Sequence, residues 1–141
     1  MKRTKSILAI LACLILGVGI KAAEFTLYQG AKIDENATQE AMEAAKAANM
    51  TYIKSAIYTT QDSFQKVTSF YKAIAREYMM PRASGTSGSP KKYGTYDLYE
   101  AYFIFDNAQN LASSRLWIKV QRPYIGENVR DITAIVVTEK K

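Results

Sequence analysis

A stripe of large apolar side chains in the middle of the chain constrains its fold more than any other feature. These side chains recur at three- and four-residue spacing, which places them on one side of a helix; they are Phe64, Val67, Phe70, Tyr71, Ile74 and Tyr78. Burying one such side chain stabilises a fold by roughly 1.5–3 kcal/mol, so the stripe needs a broad apolar surface to cover. We predict an amphipathic helix over residues 62–78, with Asp62 as its N-cap and Gln65 completing a capping box.

The surface that this helix covers is predicted to be a β-sheet. Apolar and polar side chains alternate with a period of two, as in strands that bury one face. This alternation occurs in four stretches: residues 51–58, 97–105, 116–121 and 131–138. The connections between the last three are short, which favours antiparallel neighbours. The position of the first strand stays open, because the link through the helix allows it to lie at either edge.

A second, minor helix is predicted over residues 36–49, where alanine, glutamate and lysine dominate. Asp34 or Asn36 is the expected cap. Its apolar face consists mostly of alanine, so we expect it at the edge of the core. The predicted fold is α+β, a single two-layer domain over residues 24–141 with a four-stranded, mostly antiparallel sheet. Residues 82–94, rich in glycine and serine, are expected to form a mobile surface loop.

The start of the chain has the three-part order of a secretory signal peptide. A basic start precedes an apolar stretch over residues 7–20, and Ala22 and Ala23 follow it. The stretch is shorter than the roughly 20 residues of a membrane-spanning helix. We therefore expect residues 1–23 to be removed and the protein to be periplasmic or extracellular. The exact cleavage site stays open, and the apolar residues after Cys13 disfavour a lipoprotein.

Removal of this segment changes the charge of the protein. The chain has 19 basic and 13 acidic residues, and four basic residues lie in the expected signal peptide: Lys2, Arg3, Lys5 and Lys21. The remaining 15 and 13 give a net charge of +2. A nucleic-acid binder keeps a strong basic surplus in its folded part, so we expect no nucleic-acid partner. The positive charge is concentrated in residues 63–92, which suits an anionic partner.

Candidate catalytic side chains are few. The chain has no histidine, and its single cysteine, Cys13, lies in the expected signal peptide. This composition excludes cysteine–histidine pairs, the serine triad and an ordinary zinc site. We predict no cofactor and no metal, and the absence of these residues argues against an enzyme. The alternative is a small hydrolase or lyase that uses tyrosine and carboxylates, either Asp97 with Glu100 or Glu127 with Asp131.

Aromatic and basic residues crowd together beyond the glycine-rich loop. We predict that this segment contacts a partner through five residues: Lys91, Lys92, Tyr93, Tyr96 and Tyr99. Tyrosine supplies apolar area and a hydroxyl, which suits peptides and sugars. We therefore expect an exported, non-catalytic binding or accessory protein whose partner is a protein, a peptide or an envelope polymer. The alternative partner is a membrane surface, contacted through the basic side of the predicted major helix.

Several short motifs resemble a class of short exported bacterial α+β domains, in which a Pro-Gly-Ala turn precedes a strand and a Phe-Tyr-Lys helix. The motifs are Tyr28-Gln29-Gly30-Ala31-Lys32, Thr59-Thr60-Gln61-Asp62-Ser63-Phe64, Val67 and Phe70-Tyr71-Lys72. The resemblance covers most of the chain beyond the signal peptide, with Gln29 in place of the usual proline. It concerns residues of the scaffold and implies no activity or functional residue.

Overall fold

The computed structural model describes residues 23–141, so the predicted signal peptide lies outside the described residues except for Ala23. Two helices, α1 (Glu35–Ala47) and α2 (Phe64–Ile74), accompany nine strands. In chain order the strands are β1 (Lys32–Ile33), β2 (Ile53–Thr60), β3 (Arg76–Tyr78), β4 (Lys91–Tyr93), β5 (Tyr96–Ile104), β6 (Leu116–Arg122), β7 (Tyr124–Ile125), β8 (Val129–Arg130) and β9 (Thr133–Lys140). The α+β class is therefore confirmed.

Within residues 23–141, seven strands form one antiparallel sheet with the order β1-β2-β9-β6-β5-β3, and β4 pairs with the start of β5. The remaining strands, β7 and β8, pair only with each other. The predicted strands correspond to β2, β5, β6 and β9, but the prediction of four strands is wrong because β1, β3 and β4 extend the sheet. Each of these has only two or three residues, too few for a two-residue repeat to be detected.

Helix α2 covers one face of the sheet, but its ends differ from the prediction. Residues 76–78 belong to β3, so the helix is shorter than 62–78. Its N-cap is Ser63, whose side chain accepts a hydrogen bond from the Lys66 amide at 3.1 Å. The predicted cap, Asp62, instead accepts a hydrogen bond from the Tyr28 hydroxyl at 2.6 Å. Serine and aspartate are comparable N-cap residues, so the local rule is satisfied by Ser63 while Asp62 is engaged by Tyr28.

The apolar stripe of α2 packs into a core that the N-terminal segment completes. Tyr71 is fully buried, and its ring centroid lies 6.2 Å from that of Phe25. Phe25 also stacks on Tyr58 of β2 at 5.8 Å. The Tyr71 hydroxyl donates to the Thr26 carbonyl at 2.9 Å and accepts from the Tyr28 amide at 3.0 Å. Helix α2 therefore holds the chain that precedes β1 against the core.

Helix α1 lies on the opposite face of the sheet from α2. Its buried Ala37 packs in a small cluster with Ile57 of β2, Ala134 of β9 and Tyr124. The alanine-rich helix is therefore at the edge of the core, as predicted, although it begins at Glu35 and ends at Ala47. Helix α1 packs on β2 and β9, whereas α2 packs on β3, β5 and β6 from the other face, so the two helices lie at different ends of the sheet. The predicted two layers therefore describe each end of the sheet by itself and not the sheet as a whole.

The cap of α1 makes the stability of the protein sensitive to acid. Asp34 accepts a hydrogen bond from the Ala37 amide at 2.9 Å and contacts the Arg130 guanidinium. Both interactions lower the pKa of the Asp34 carboxyl below its usual 3.8, although burial opposes them. A carboxyl whose pKa is lower in the folded state than in the unfolded state stabilises the fold at pH values above its unfolded pKa. This contribution is lost as the pH falls through the folded-state pKa.

Asp34→Asn is expected to weaken this dependence on pH, because asparagine caps a helix equally well but does not titrate. Urea unfolding near pH 6 and near pH 3 measures the effect. We expect the parent protein to lose more stability on acidification than the variant does. Equal losses in the two proteins would show that Asp34 does not contribute to the acid sensitivity.

Candidate functional site

Neither helix covers the sheet face opposite α2 at the end that α1 does not reach, although Leu98 and Ile104 on this face are buried. Side chains from β4, β5 and β6 that point to this side form a surface that we call the aromatic–lysine face, defined by Lys91, Tyr93, Tyr96, Glu100, Tyr102, Trp117 and Lys119. Alternate residues of a strand share a face, and so do residues directly opposite each other in neighbouring strands. Tyr102 is opposite Lys119, and Lys91 is opposite Leu98. Among the described residues, no helix covers this part of the sheet.

Three of the five predicted contact residues lie on this face. Tyr93 and Tyr96 are opposite each other beside the turn of the β4–β5 hairpin, where Gly94 adopts a φ of +57°. Their side chains are 46% and 43% exposed, which is unusual for large aromatic residues. Lys91 lies two residues from Tyr93 in the same strand and therefore points to the same side. The hairpin thus presents a cation beside two accessible rings.

The other two predicted contact residues lie on the opposite side of the hairpin. Lys92 forms an ion pair with Asp97, with 2.6 Å between the nitrogen and the oxygen. Tyr99 packs on Phe64 of α2, with 5.3 Å between ring centroids. The structure therefore divides the five predicted contact residues between the two faces of the sheet. Because β4 is a strand, its successive side chains alternate between the two faces.

The loop before this hairpin is bonded to β5. The Ser84 hydroxyl donates to the Glu100 carbonyl at 3.0 Å and accepts from the Glu100 amide at 2.9 Å. The Gly85 amide donates to the same carbonyl at 2.9 Å. Thr86 donates to the Glu77 carboxylate from both its amide and its hydroxyl. These bonds anchor the first part of the predicted mobile loop, and β4 forms its last part.

Glu100 occupies the charged centre of the aromatic–lysine face. Its carboxylate lies 3.7 Å from the Lys91 ammonium and 3.9 Å from that of Lys119, and the Gln121 amide donates to it at 3.4 Å. Burial lowers the pKa of Lys119; Glu100 partly offsets this effect, and Lys91 adds to it. Because one carboxylate serves two ammonium groups, the cluster has an excess of positive charge.

An aromatic pair borders this charged centre. The rings of Tyr102 and Trp117 lie 6.1 Å apart at an angle of 42°, and both side chains are partly exposed. Burial raises the pKa of the Tyr102 hydroxyl, and the Glu100 charge adds to the effect. The hydroxyl therefore remains protonated at neutral pH and is able to donate a hydrogen bond. The face combines ring surfaces, a donor and two ammonium groups.

Trp117, Lys119 and Glu100 were not predicted as contact residues. The sequence carries a partial signal for two of them, because Leu116, Ile118 and Val120 form the apolar face of β6 and leave Trp117 and Lys119 on the other side. Placing them beside Lys91 required the register of three strands. That register depends on pairs such as Tyr102 with Lys119, and no local pattern specifies it.

The carboxylates of the enzyme hypothesis do not converge. Asp97 and Glu100 are three residues apart in β5 and therefore point to opposite faces. Asp131 binds the Arg122 guanidinium at 3.1 Å, whereas Glu127 lines a separate groove beside α1. Neither pair forms the two-carboxylate site that the hypothesis requires.

The basic helix of the membrane hypothesis is shorter than predicted. Lys66 and Lys72 are exposed on α2, but Arg76 belongs to β3. Lys66 also lies 3.7 Å from the Asp62 carboxylate. In the part of the chain that the structure describes, neither helix has the length and apolarity to cross a bilayer.

A groove of about 490 Å³ lies along α1 and is bordered by Ile33 and Met42. Across residues 23–141, no three histidine, cysteine, aspartate or glutamate side chains are grouped so that they could hold a metal ion.

The fold and its open face define an antiparallel α+β domain with one cationic, aromatic sheet surface. Comparison of the chain with protein-family models, with curated proteins and with solved structures finds no match. The functional interpretation therefore depends on the geometry of this surface.

Proposed function

We propose that the protein is an exported, non-catalytic binding module of the cell envelope and that the aromatic–lysine face is its binding surface. The observation that carries the proposal is the grouping of exposed Tyr93 and Tyr96 with Lys91 on a part of the sheet that neither helix covers. Aromatic side chains with few rotatable bonds give contact area at low entropic cost, and a sheet holds them in place. The surface is thus suited to recognition.

The proposal that the protein is exported is based on the basic, apolar and small-residue order of residues 1–23. The position of Phe25 is compatible with removal of this segment. Phe25 is partly buried against the main core, whereas Ala23 and Glu24 are exposed. Cleavage after Ala22 or Ala23 would therefore leave the packed N-terminal segment intact.

A sedimentation assay tests the proposed binding surface. The probe is the insoluble envelope fraction of a bacterial lysate, mixed with the purified protein at increasing concentration. We expect Tyr93→Ala with Tyr96→Ala to weaken binding about tenfold or more, because aromatic contacts of this kind contribute on the order of 1–2 kcal/mol each. Lys92→Ala, on the other side of the same hairpin, is the matched control and is expected to bind like the parent.

The urea unfolding midpoint of each variant is measured alongside, so that a loss of binding is separated from a loss of folding. Parent-like binding by the double tyrosine variant would remove this face from consideration, and no binding by the parent would contradict the proposed function. Fractionation of cells that express the full chain tests export. We expect the protein outside the cytoplasm with Ala23 or Glu24 at its N-terminus, and retention of residues 1–23 would contradict this expectation.

A further inference from the structure

We propose that the aromatic–lysine face binds an anionic polysaccharide whose sugar units carry carboxylate groups. The inference rests on the proposed function, because it names the class of ligand for the same surface. Three properties of the face carry it: its charge, the placement of its rings and its extent along the sheet.

The part of the sheet beyond α1 has an excess of positive charge on this side. Strands β3, β4, β5, β6 and β9 direct four cationic residues to the side of the aromatic–lysine face but only one carboxylate, that of Glu100; the cations are Arg76, Lys91, Lys119 and Lys140. Arg76 and Lys140 are assigned to this side because they pair with Ile104 and Ile53, and they bind carbonyls of the loop between β5 and β6. These strands therefore contribute a charge of +3, whereas helix α1, at the other end of this side, has three glutamates and one lysine. An anionic ligand is electrostatically favoured on the part of this side that α1 does not cover.

Aromatic rings accompany both central lysines. Tyr93 and Tyr96 lie beside Lys91 on the hairpin, and Tyr102 is opposite Lys119 and in contact with Trp117. A sugar ring has an apolar C–H face and polar edges. The C–H face of an acidic sugar can pack on an aromatic ring while its carboxylate meets the neighbouring ammonium group. Gln121 is buried and donates to Glu100, so it holds this carboxylate in place beside the two ammonium groups.

The face is elongated, which favours a polymer over a single small molecule. From Tyr96 to Tyr102, β5 extends six residues, or roughly 20 Å at the rise of a strand, with accessible side chains at both ends and the buried Leu98 between them. A nucleic acid is disfavoured because its binders neutralise about 6–10 phosphates and stack bases on separated rings. Here two of the four cations share Glu100, and Tyr102 contacts Trp117 directly. An extended peptide adds to a free strand edge, whereas this surface is a sheet face.

Titration of the purified protein with polygalacturonate, a polymer of carboxylated sugars, tests the inference. We expect saturable binding that weakens as NaCl is raised, because exposed charges are screened by salt. Lys91→Met is expected to reduce affinity about three- to tenfold and to flatten the salt dependence, whereas Lys92→Met leaves both unchanged. Tyr96→Ala is expected to reduce affinity and to retain the salt dependence, because it removes packing and not charge.

Neutral dextran, single-stranded DNA and polyglutamate are the comparison ligands. Absence of polygalacturonate binding, equal binding of dextran, or tighter binding of DNA or polyglutamate would overturn the inference. The envelope sedimentation assay separates its failure from that of the proposed function. If the parent protein binds the envelope fraction through Tyr93 and Tyr96 but does not bind polygalacturonate, only the ligand class is refuted. If the parent protein binds neither, the proposal of a binding module is refuted as well.

Discussion

Replacing Tyr71 with alanine is expected to lower the free energy of unfolding by about 3–5 kcal/mol, which is a large part of the stability of a domain of this size. The side chain is fully buried, and its ring lies 6.1 Å from Phe103 and 6.0 Å from Phe105. Truncation removes this packing and leaves a cavity between α2 and the sheet. Urea unfolding followed by circular dichroism measures the loss.

Tyr71→Phe separates the contribution of the hydroxyl from that of the ring. The hydroxyl donates to the Thr26 carbonyl and accepts from the Tyr28 amide, so its removal leaves two polar groups without this partner. We expect a loss of about 1–3 kcal/mol and faster hydrogen exchange at the Tyr28 amide. The matched control is Tyr52→Ala, which truncates a side chain that is 51% exposed and should change stability by about 0.5 kcal/mol or less.

An equal loss for Tyr71→Ala and Tyr71→Phe would mean that the ring contributes little to the core. A loss for Tyr71→Ala no larger than that for Tyr52→Ala would contradict the placement of α2 on the sheet. Unchanged exchange at the Tyr28 amide in Tyr71→Phe would show that the hydroxyl does not hold the N-terminal segment.

Replacing Arg122 with methionine is the substitution with the second largest expected effect, about 2–4 kcal/mol. Its guanidinium donates to the Gln61 carbonyl at 3.2 Å, the Asp62 carbonyl at 3.0 Å and the Thr133 hydroxyl at 3.1 Å. It also donates to the carboxylate and the carbonyl of Asp131, each at 3.1 Å. One side chain thus joins the connection between β2 and α2 to the start of β9.

The bonds to neutral oxygens, more than the ion pair, account for this expectation. The Asp131 side chain is 83% exposed, and such exposed pairs contribute little. The carbonyls of Gln61 and Asp62 lose a charged donor when Arg122 is removed. Lysine has a single ammonium group and does not reproduce the planar fork, so we expect Arg122→Lys to recover less than half of the lost stability.

Urea unfolding of both variants measures these losses, with Arg115→Met as a control at an exposed arginine at the opposite end of β6. The control is expected to stay within about 0.5 kcal/mol of the parent. Full stability in Arg122→Lys would show that charge alone is sufficient. A loss in Arg115→Met as large as that in Arg122→Met would show that the loss does not depend on the hydrogen bonds of Arg122.

Much of the fold was predictable because its main elements have strong periodicity. The four long strands begin and end within two residues of the predicted positions, and Phe64, Val67 and Tyr71 are buried as the stripe of α2 predicts. The exposed Ile74 departs from the stripe because α2 ends there and β3 follows. The short edge strands depend on partners distant in sequence, so local patterns did not indicate them, and the local rule does not choose between Asp62 and Ser63 as N-cap.

The candidate site was predictable only in part. Lys91, Tyr93 and Tyr96 lie together on the open face, but Lys92 and Tyr99 point to the side of α2. The contact residues were predicted from the density of aromatic and basic residues in one segment, which assumes that neighbours in sequence are also neighbours on the surface. In a hairpin, residues next to each other in sequence are separated by the sheet itself.

By itself the sequence determined which segments are helices and which long segments are strands, and it carries the order of a secretory signal. These are local properties, since helical and strand periodicities depend on residues a few positions apart. The tertiary structure decided which strands are neighbours, which helix covers which face, and which face stays open. Those outcomes depend on pairs such as Tyr102 with Lys119, and on Tyr71 with Thr26, whose contacts form only when distant parts of the chain meet.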